Sequence, residues 1–388
     1  MEVAVVSMLA FLGSLVLVYL NHFFSEVTNI HDIPDTIRKF HPAKTPSSGG
    51  LGFGIAFFGV VVASVNYRLF STTPFFQSWF PFFMTGAVIV FVLGIIDDIK
   101  GLRSVLKFGV QMAAGLIVSI GILKSYNQTT SASFPWYVEI GIVLMFTFLV
   151  LASCNAVNLI DGIDGLAASQ STIILAGLGA VASAWGISDM NFVIFPLIAA
   201  VVGFLMFNRP PATIFMGDTG SLLLGYSIIS IILFLGTHAP GWYHFFGLLA
   251  MLGIPYLDTL LAIIRRRARG QSAFEPDREH IHHLMQGYFR SPGMSVAIIS
   301  GVTMLLIATA ILLAHTSDIS LYLTILSSLM ALLAVLSISY YKKVSVLENS
   351  DISGHPDPVA SKPEGIHEKR DSGRITPIEI DLEQVSKN

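Results

Sequence analysis

The sequence predicts an all-α protein that crosses a membrane about eleven times, and three observations carry that prediction. Of 388 residues, 53% are hydrophobic and 12% charged, with a mean hydropathy of +0.71; soluble domains carry about 25% charged residues. The apolar residues gather in runs near ~20 long, the length a helix needs to cross the hydrocarbon layer. Those runs are continuous rather than alternating with a period of two, which excludes a barrel and leaves helices as the way to satisfy every backbone group in lipid.

In chain order the runs are 3–20, 50–65, 80–96, 105–123, 136–154, 166–186, 192–207, 221–236, 242–264, 295–315 and 319–341. The first reads as an anchor rather than a cleaved signal, because no Lys or Arg precedes it and no small-residue cleavage pattern follows. The chain divides into a membrane domain over 1–347 and a tail over 348–388. The tail holds nine acidic against five basic residues, and prolines 356, 358, 363 and 377 interrupt it. With no sustained apolar period it cannot bury enough surface to offset its ordering entropy, so it is expected to be disordered. The single cysteine, Cys154, excludes an intrachain disulfide framework and a cysteine-based zinc cluster.

Lysines and arginines set the expected orientation. Outside the tail, fifteen flank the odd-numbered loops and two, Arg68 and Lys124, the even-numbered ones. The positive-inside bias then puts the N-terminus outside and the C-terminus in the cytoplasm. The same parity sorts the polar motifs, all of which fall on the cytoplasmic side.

Four of these motifs could carry chemistry. Asp97-Asp98 follows the third run, where a helix C-terminus disfavours negative charge and some cation must offset it. That cation is either Lys100 and Arg103 in a solvated loop or a divalent ion, which binds hard oxygens together with substrate phosphate. Asn158-Leu159-Ile160-Asp161-Gly162-Ile163-Asp164-Gly165-Leu166 follows the fifth run; Asp161 and Asp164 are spaced to share one helical face, or else form a plain Asp-Gly turn. Asn208 to Ser221 contains Phe215 and Asp218, and the helix that starts there offers free amides suited to phosphate. His280-Ile281-His282-His283 follows an arginine cluster, with His280 and His283 expected on one helical face. Zinc binding is disfavoured by that spacing, and donation to phosphate is preferred. Lys44 lies in a Pro- and Gly-rich loop and offers one more flexible cation. Asp258 sits within the ninth run and reads as a structural pairing partner. Five acids at mid-membrane would cost over ~12 kcal/mol, so Asp97, Asp98, Asp161, Asp164 and Asp218 are expected at span ends, gathered on one wet rim.

Taken in order, Asp97-Asp98, Asn158 to Leu166, Phe215 to Ser221 and His280 to His283 resemble the polyprenyl-phosphate N-acetylhexosamine-1-phosphate transferases. The resemblance spans residue 1 to about 343, and the His-Ile-His-His form is similar to the undecaprenyl-phosphate GlcNAc branch. It implies transfer of a sugar 1-phosphate from a UDP-N-acetylhexosamine to undecaprenyl phosphate, with UMP released, at the cytoplasmic face of a bacterial inner membrane. Such a step would start a lipid-linked surface polysaccharide of the O-antigen class. The resemblance further implies Mg²⁺, or Mn²⁺ in its place, on Asn158 and Asp218. It makes Asp97 the base for the lipid phosphate and Asp98 its partner in metal or phosphate handling, or an attacking nucleophile. Asp164, Gly165, Leu166, Asn208 and Phe215 become the nucleotide pocket, Asp161 a further substrate contact, and Lys44, His280, His282 and His283 the contacts to phosphate and sugar. No nucleic acid is expected, and a homodimer is left open.

Two other classes compete. A secondary transporter predicts sites near mid-membrane and repeated halves, and no repeat is visible. An intramembrane aspartyl protease would pair Asp218 with Asp258 as a dyad and use no metal.

Overall fold

The computed structural model describes residues 2–28, 45–66, 74–130, 134–268 and 291–314, together with 270, 280–281, 285–286, 289, 318, 320 and 327. Every regular element among them is helical: α1 (Glu2–Thr28), α2 (Gly49–Asn66), α3 (Pro74–Lys100), α4 (Ser104–Thr130), α5 (Trp136–Ile160), α6 (Leu166–Ala184), a 3-10 turn at Ser188–Met190, α7 (Asn191–Asn208), α8 (Gly217–Thr237), α9 (Trp242–Ala250), α10 (Gly253–Ala268) and α11 (Pro292–Leu313).

Ten of the eleven expected runs coincide with helices among the described residues. Among the described residues, eight helices are long and apolar enough to cross a membrane, and α9 with α10 would make a ninth. The stretch Gly49–Val65 of α2 is shorter, about 26 Å at 1.5 Å per residue against ~30 Å of hydrocarbon. The ninth run is not one helix: α9 and α10 meet at 73°. Pro255, in the first turn of α10, has no N–H to return to α9, so the ladder breaks at Met251 and Leu252. The eleventh run lies outside the described residues apart from 320 and 327, as does the whole acidic tail.

The helices form a bundle around α8. In the membrane-length window of α8, 94% of the residues are buried inside the protein, against 22% for α1. That contrast makes α8 the axis and α1 a lipid-facing outer member. The axis is flanked by α2, α3, α5, α6 and α9, while α1 packs on α2 and α7, and α11 on α6. In lipid such packing depends on close van der Waals fit rather than on water exclusion. Gly94 shows how close: a Cβ there would lie 2.3 Å from Thr219 Cα, so only glycine lets α3 cross the start of α8. This crossing brings the acidic end of α3 onto the N-terminus of α8.

Candidate active site

The turn that ends α3 builds the first half of the site. Gly101 takes φ +62° and returns its N–H to Asp97 O at 2.8 Å, the left-handed ending that glycine permits without strain. Asp97 Oδ1 accepts from Leu102 N at 2.6 Å, which tightens the turn. The chain then re-enters as α4, and Lys107 arrives back beside Asp97.

Lys107 is the residue that sequence reasoning misses. Its Nζ donates to Asp97 Oδ2 and, at 2.7 Å, to Asp218 Oδ2, so one ammonium bridges acids 121 positions apart, one at the end of α3 and one at the start of α8. Counted only as a topology signal, it gives no hint of this. The signal available is its place one turn into α4 after a glycine-closed turn. Among the described residues neither Lys100 nor Arg103 pairs with Asp97 or Asp98.

Asp218 gathers the second half. Its Oδ1 accepts from Asn158 Nδ2 at 2.9 Å, and the same Nδ2 lies 2.9 Å from Ser221 Oγ. Asn158 comes from the last turn of α5, so α3, α4, α5 and α8 all meet here. Asp98 behaves differently. Its Oδ1 accepts from Asp218 N at 2.7 Å, and its Oδ2 accepts from Thr219 N at 3.0 Å and Thr219 Oγ1 at 2.6 Å. Met216, which precedes α8, supplies no side-chain cap, so Asp98 caps the helix from across the bundle. With both oxygens engaged by α8, Asp98 holds the start of that helix beside Asp97 in this arrangement.

A bracket of loops stands beside this centre. Asp164, 7% exposed, accepts from Ala212 N at 2.9 Å; Asn208, 2% exposed, accepts from Gly165 N at 3.0 Å and donates to Ile214 O at 2.9 Å. These bonds tie loop 161–165 to segment 208–216. The side chain of Leu166 packs with Ile163, Ile254, Leu257, Ile299 and Leu306. Asp164 and Asn208 thus cross-tie the two loops, and Leu166 lies in the apolar cluster against which loop 161–165 rests. Phe215 is held through its backbone, accepting from Gly49 N at 2.9 Å and donating to Pro46 O at 2.8 Å, with its ring half-buried.

Asp161 is the open acid. Among the described residues its carboxylate has no hydrogen-bond or ion-pair partner, although part of its surface remains accessible. Burial, then the charges of Asp218, Asp98 and Asp164, push its carboxyl up to about 7. A cation placed among these acids would relieve that repulsion.

His280 is expected to share a helical face with His283, which lies outside the described residues, so of the pair only His280 is placed. It precedes the helical residue Ile281, is 5% exposed, and sets its Nδ1 3.1 Å from Asp258 Oδ2. Asp258 thus has the pairing role expected from the sequence. Lys44, His282 and His283 lie outside the described residues.

The donor set is one of hard oxygens. Asp97 and Asp218 carboxylates and the Asn158 Oδ1, which has no hydrogen-bond donor among the described residues, suit Mg²⁺ better than a softer metal. No group of three His, Cys, Asp or Glu among the described residues forms a closed protein cage.

The sequence profile of glycosyl transferase family 4 matches residues 80–236, which contain Asp97, Lys107, Asn158 and Asp218. The chain is 36% identical over 281 residues to a probable undecaprenyl-phosphate N-acetylglucosaminyl 1-phosphate transferase of Bacillus subtilis (strain 168), covering 71% of this chain and 75% of that one. It is 30% identical over 261 residues to the undecaprenyl-phosphate alpha-N-acetylglucosaminyl 1-phosphate transferase of Escherichia coli (strain K12), 64% of this chain and 67% of that one. A decaprenyl-phosphate N-acetylglucosaminephosphotransferase of Mycobacterium tuberculosis (strain CDC 1551 / Oshkosh) is 30% identical over 272 residues, 63% of this chain and 66% of that one.

Proposed function

The chain belongs to glycosyl transferase family 4 as a multi-pass membrane phosphoglycosyl transferase, and on that footing we propose that it moves GlcNAc 1-phosphate from UDP-GlcNAc to undecaprenyl phosphate. The observation that carries the reading is Lys107 bridging Asp97 and Asp218 where four membrane helices end. Such a place lets a prenyl chain stay in lipid while its phosphate meets a nucleotide sugar from water.

The reaction needs two anions to meet. An oxygen of the lipid phosphate attacks the β-phosphorus of the UDP-sugar, and a new P–O bond forms. The bond from that phosphorus to the bridging oxygen breaks, and its electron pair leaves with UMP. Asp97 takes the proton of the lipid phosphate, and Lys107 exchanges its carboxylate contacts for phosphate oxygens. Positioning and charge neutralisation dominate phosphoryl transfer. Asn158 and Asp218 would hold Mg²⁺, which supplies charge neutralisation on the diphosphate. Asp98 keeps α8 in place, so its first amides face the incoming anion. The ring of Phe215 and the open Asp161 are the contacts offered to the nucleotide. We place the site on the cytoplasmic face of a bacterial inner membrane, following the lysine and arginine bias.

The competing classes lose support. The acids sit at helix ends rather than at mid-membrane, against a transporter. Asp218 bonds Lys107 and Asn158 while Asp258 bonds His280, against a protease dyad.

The test is UMP release by the full chain purified in detergent, with UDP-GlcNAc, undecaprenyl phosphate and Mg²⁺. The reading expects release that requires all three, stops with a chelator, and is slower with other UDP-sugars. A stoichiometric burst of UMP without lipid phosphate would contradict the single-step route, and substrate-independent inactivity would contradict the activity itself.

A further inference from the structure

His280 and Ile281 are both bonded by one buried acid of α10. Asp258 is 1% exposed and follows the Pro255 break by three residues in α10. Its Oδ1 accepts from Ile281 N at 2.8 Å, and its Oδ2 lies against His280 Nδ1 at 3.1 Å. Tyr256, two residues earlier, meets Ser153 of α5 through paired hydroxyls at 2.5 Å, so this part of α10 is held to the helix that leads into the site. An acid inside a membrane bundle is unfavourable unless its partners use it. Here its partners include the Ile281 backbone amide and the His280 imidazole.

The bonded segment reaches the site through packing. Ile281 packs against the cluster of Ile163 and Leu166. Asp258, Ile281, Ile160 and Leu166 also line one small cavity. Ile160 ends α5 and Leu166 begins α6, so these contacts support both ends of the loop that carries Asp161 and Asp164.

We propose that Asp258 is a positioning residue for the nucleotide-sugar donor: by clipping His280 and Ile281 to α10 it fixes the apolar floor beneath loop 161–165. This rests on the reaction proposed above. Loss of the clip lets Ile281 withdraw, and the loop then samples positions in which Asp161 and the Asp164–Ala212 bond no longer frame the donor. The Asp97–Lys107–Asp218 centre, built on other helices, stays assembled. Donor affinity should suffer and the chemical step should not.

The experiment uses the full chain purified in detergent, with Asp258→Leu and Asp258→Asn beside the wild type. Donor KM, kcat and the rise in melting temperature caused by UDP are measured. Removal of a charge-assisted bond of this kind gives about a 10-fold effect, so Asp258→Leu should raise donor KM about 10-fold with kcat within about 3-fold. It should also weaken the response to UDP. Asp258→Asn still accepts from Ile281 N and should fall between the two. Donor KM and UDP response both within about twofold of wild type in the two variants overturns the proposal, as does a loss confined to kcat. If Asp258→Leu fails to fold, Asp258→Asn decides: a raised KM supports the role and an unchanged KM overturns it. Wild type with neither UMP release nor a UDP response overturns the reaction and this role together, whereas an active wild type with unmoved variants overturns the role alone.

Discussion

Two neighbouring groups of acids in this molecule do opposite work. At the crossing of α3, α4 and α8, Asp97 and Asp218 share one ammonium, that of Lys107, whose bonds the proposed reaction exchanges for bonds to phosphate. In the loops beside it, Asp164 spends its carboxylate on Ala212 N, a backbone donor that no substrate can replace, while Asn208 uses both ends of its amide in the same way. Asp98 belongs with the second group despite standing next to Asp97 in sequence, because α8 takes both of its oxygens. Carboxylate identity does not separate the groups. The kind of donor opposite does: in the proposed reaction a lysine side chain can exchange its partners, whereas a backbone amide holds a frame.

The widest gap between the groups should appear in turnover. Asp97→Asn or Asp218→Asn should lower kcat by about 10³-fold or more while leaving membrane insertion and melting temperature near wild type, since a base or a charge-stabilising group is lost without a framework bond. Comparable activity in either variant would erase the distinction. Asp98→Ala removes a helix cap and three accepted bonds, and should cost about 1–3 kcal/mol of stability together with a partial loss of kcat, seen as lower melting temperature and slower UMP release.

Asn208→Ala sharpens the contrast from the frame side. It leaves Gly165 N and Ile214 O without partners in a buried place, so a stability loss of about 1–3 kcal/mol and a raised donor KM are expected, with kcat changed less. Thermal melts and initial rates at varied UDP-GlcNAc check both.

The smallest expected effect concerns Asp161, which belongs to neither group. Its carboxyl titrates near about 7 in the fold against 3.8 in an unfolded chain. Between those values the folded state keeps a proton that the unfolded state releases, so stability declines as pH rises through that window. Asp161→Asn removes the decline: its melting temperature should gain on wild type between about pH 5 and about pH 8. Mg²⁺ should narrow that gap by screening the charge.

Much of this was legible before any coordinates. Apolar runs separated by polar loops mark the helices because hydrocarbon leaves the backbone few alternatives, and the cost of buried charge sends Asp97 and Asp218 to helix ends. What stays hidden depends on geometry across elements. Lys107 looks like one more basic residue until the Gly101 turn folds it back onto Asp97. The bend between α9 and α10 hangs on the single missing N–H of Pro255, within a run whose hydropathy is unbroken. Asp98 and Leu166 carry motif letters, yet only their neighbours in space reveal the α8 amides that bond the one and the Ile163 cluster that holds the other. His280 shows the same thing: helical spacing puts it with His283, and Asp258 draws it inward.

One measurement bears most directly on the Lys107-bridged pair as the reaction centre: single-turnover UMP release with Mg²⁺ and undecaprenyl phosphate, comparing wild type with Lys107→Met at saturating UDP-GlcNAc. The bridge predicts that Lys107→Met folds and still responds to UDP in a melt, yet releases UMP about 10³-fold more slowly. Release at the wild-type rate would show that the acids react without the cation between them, and would contradict the account.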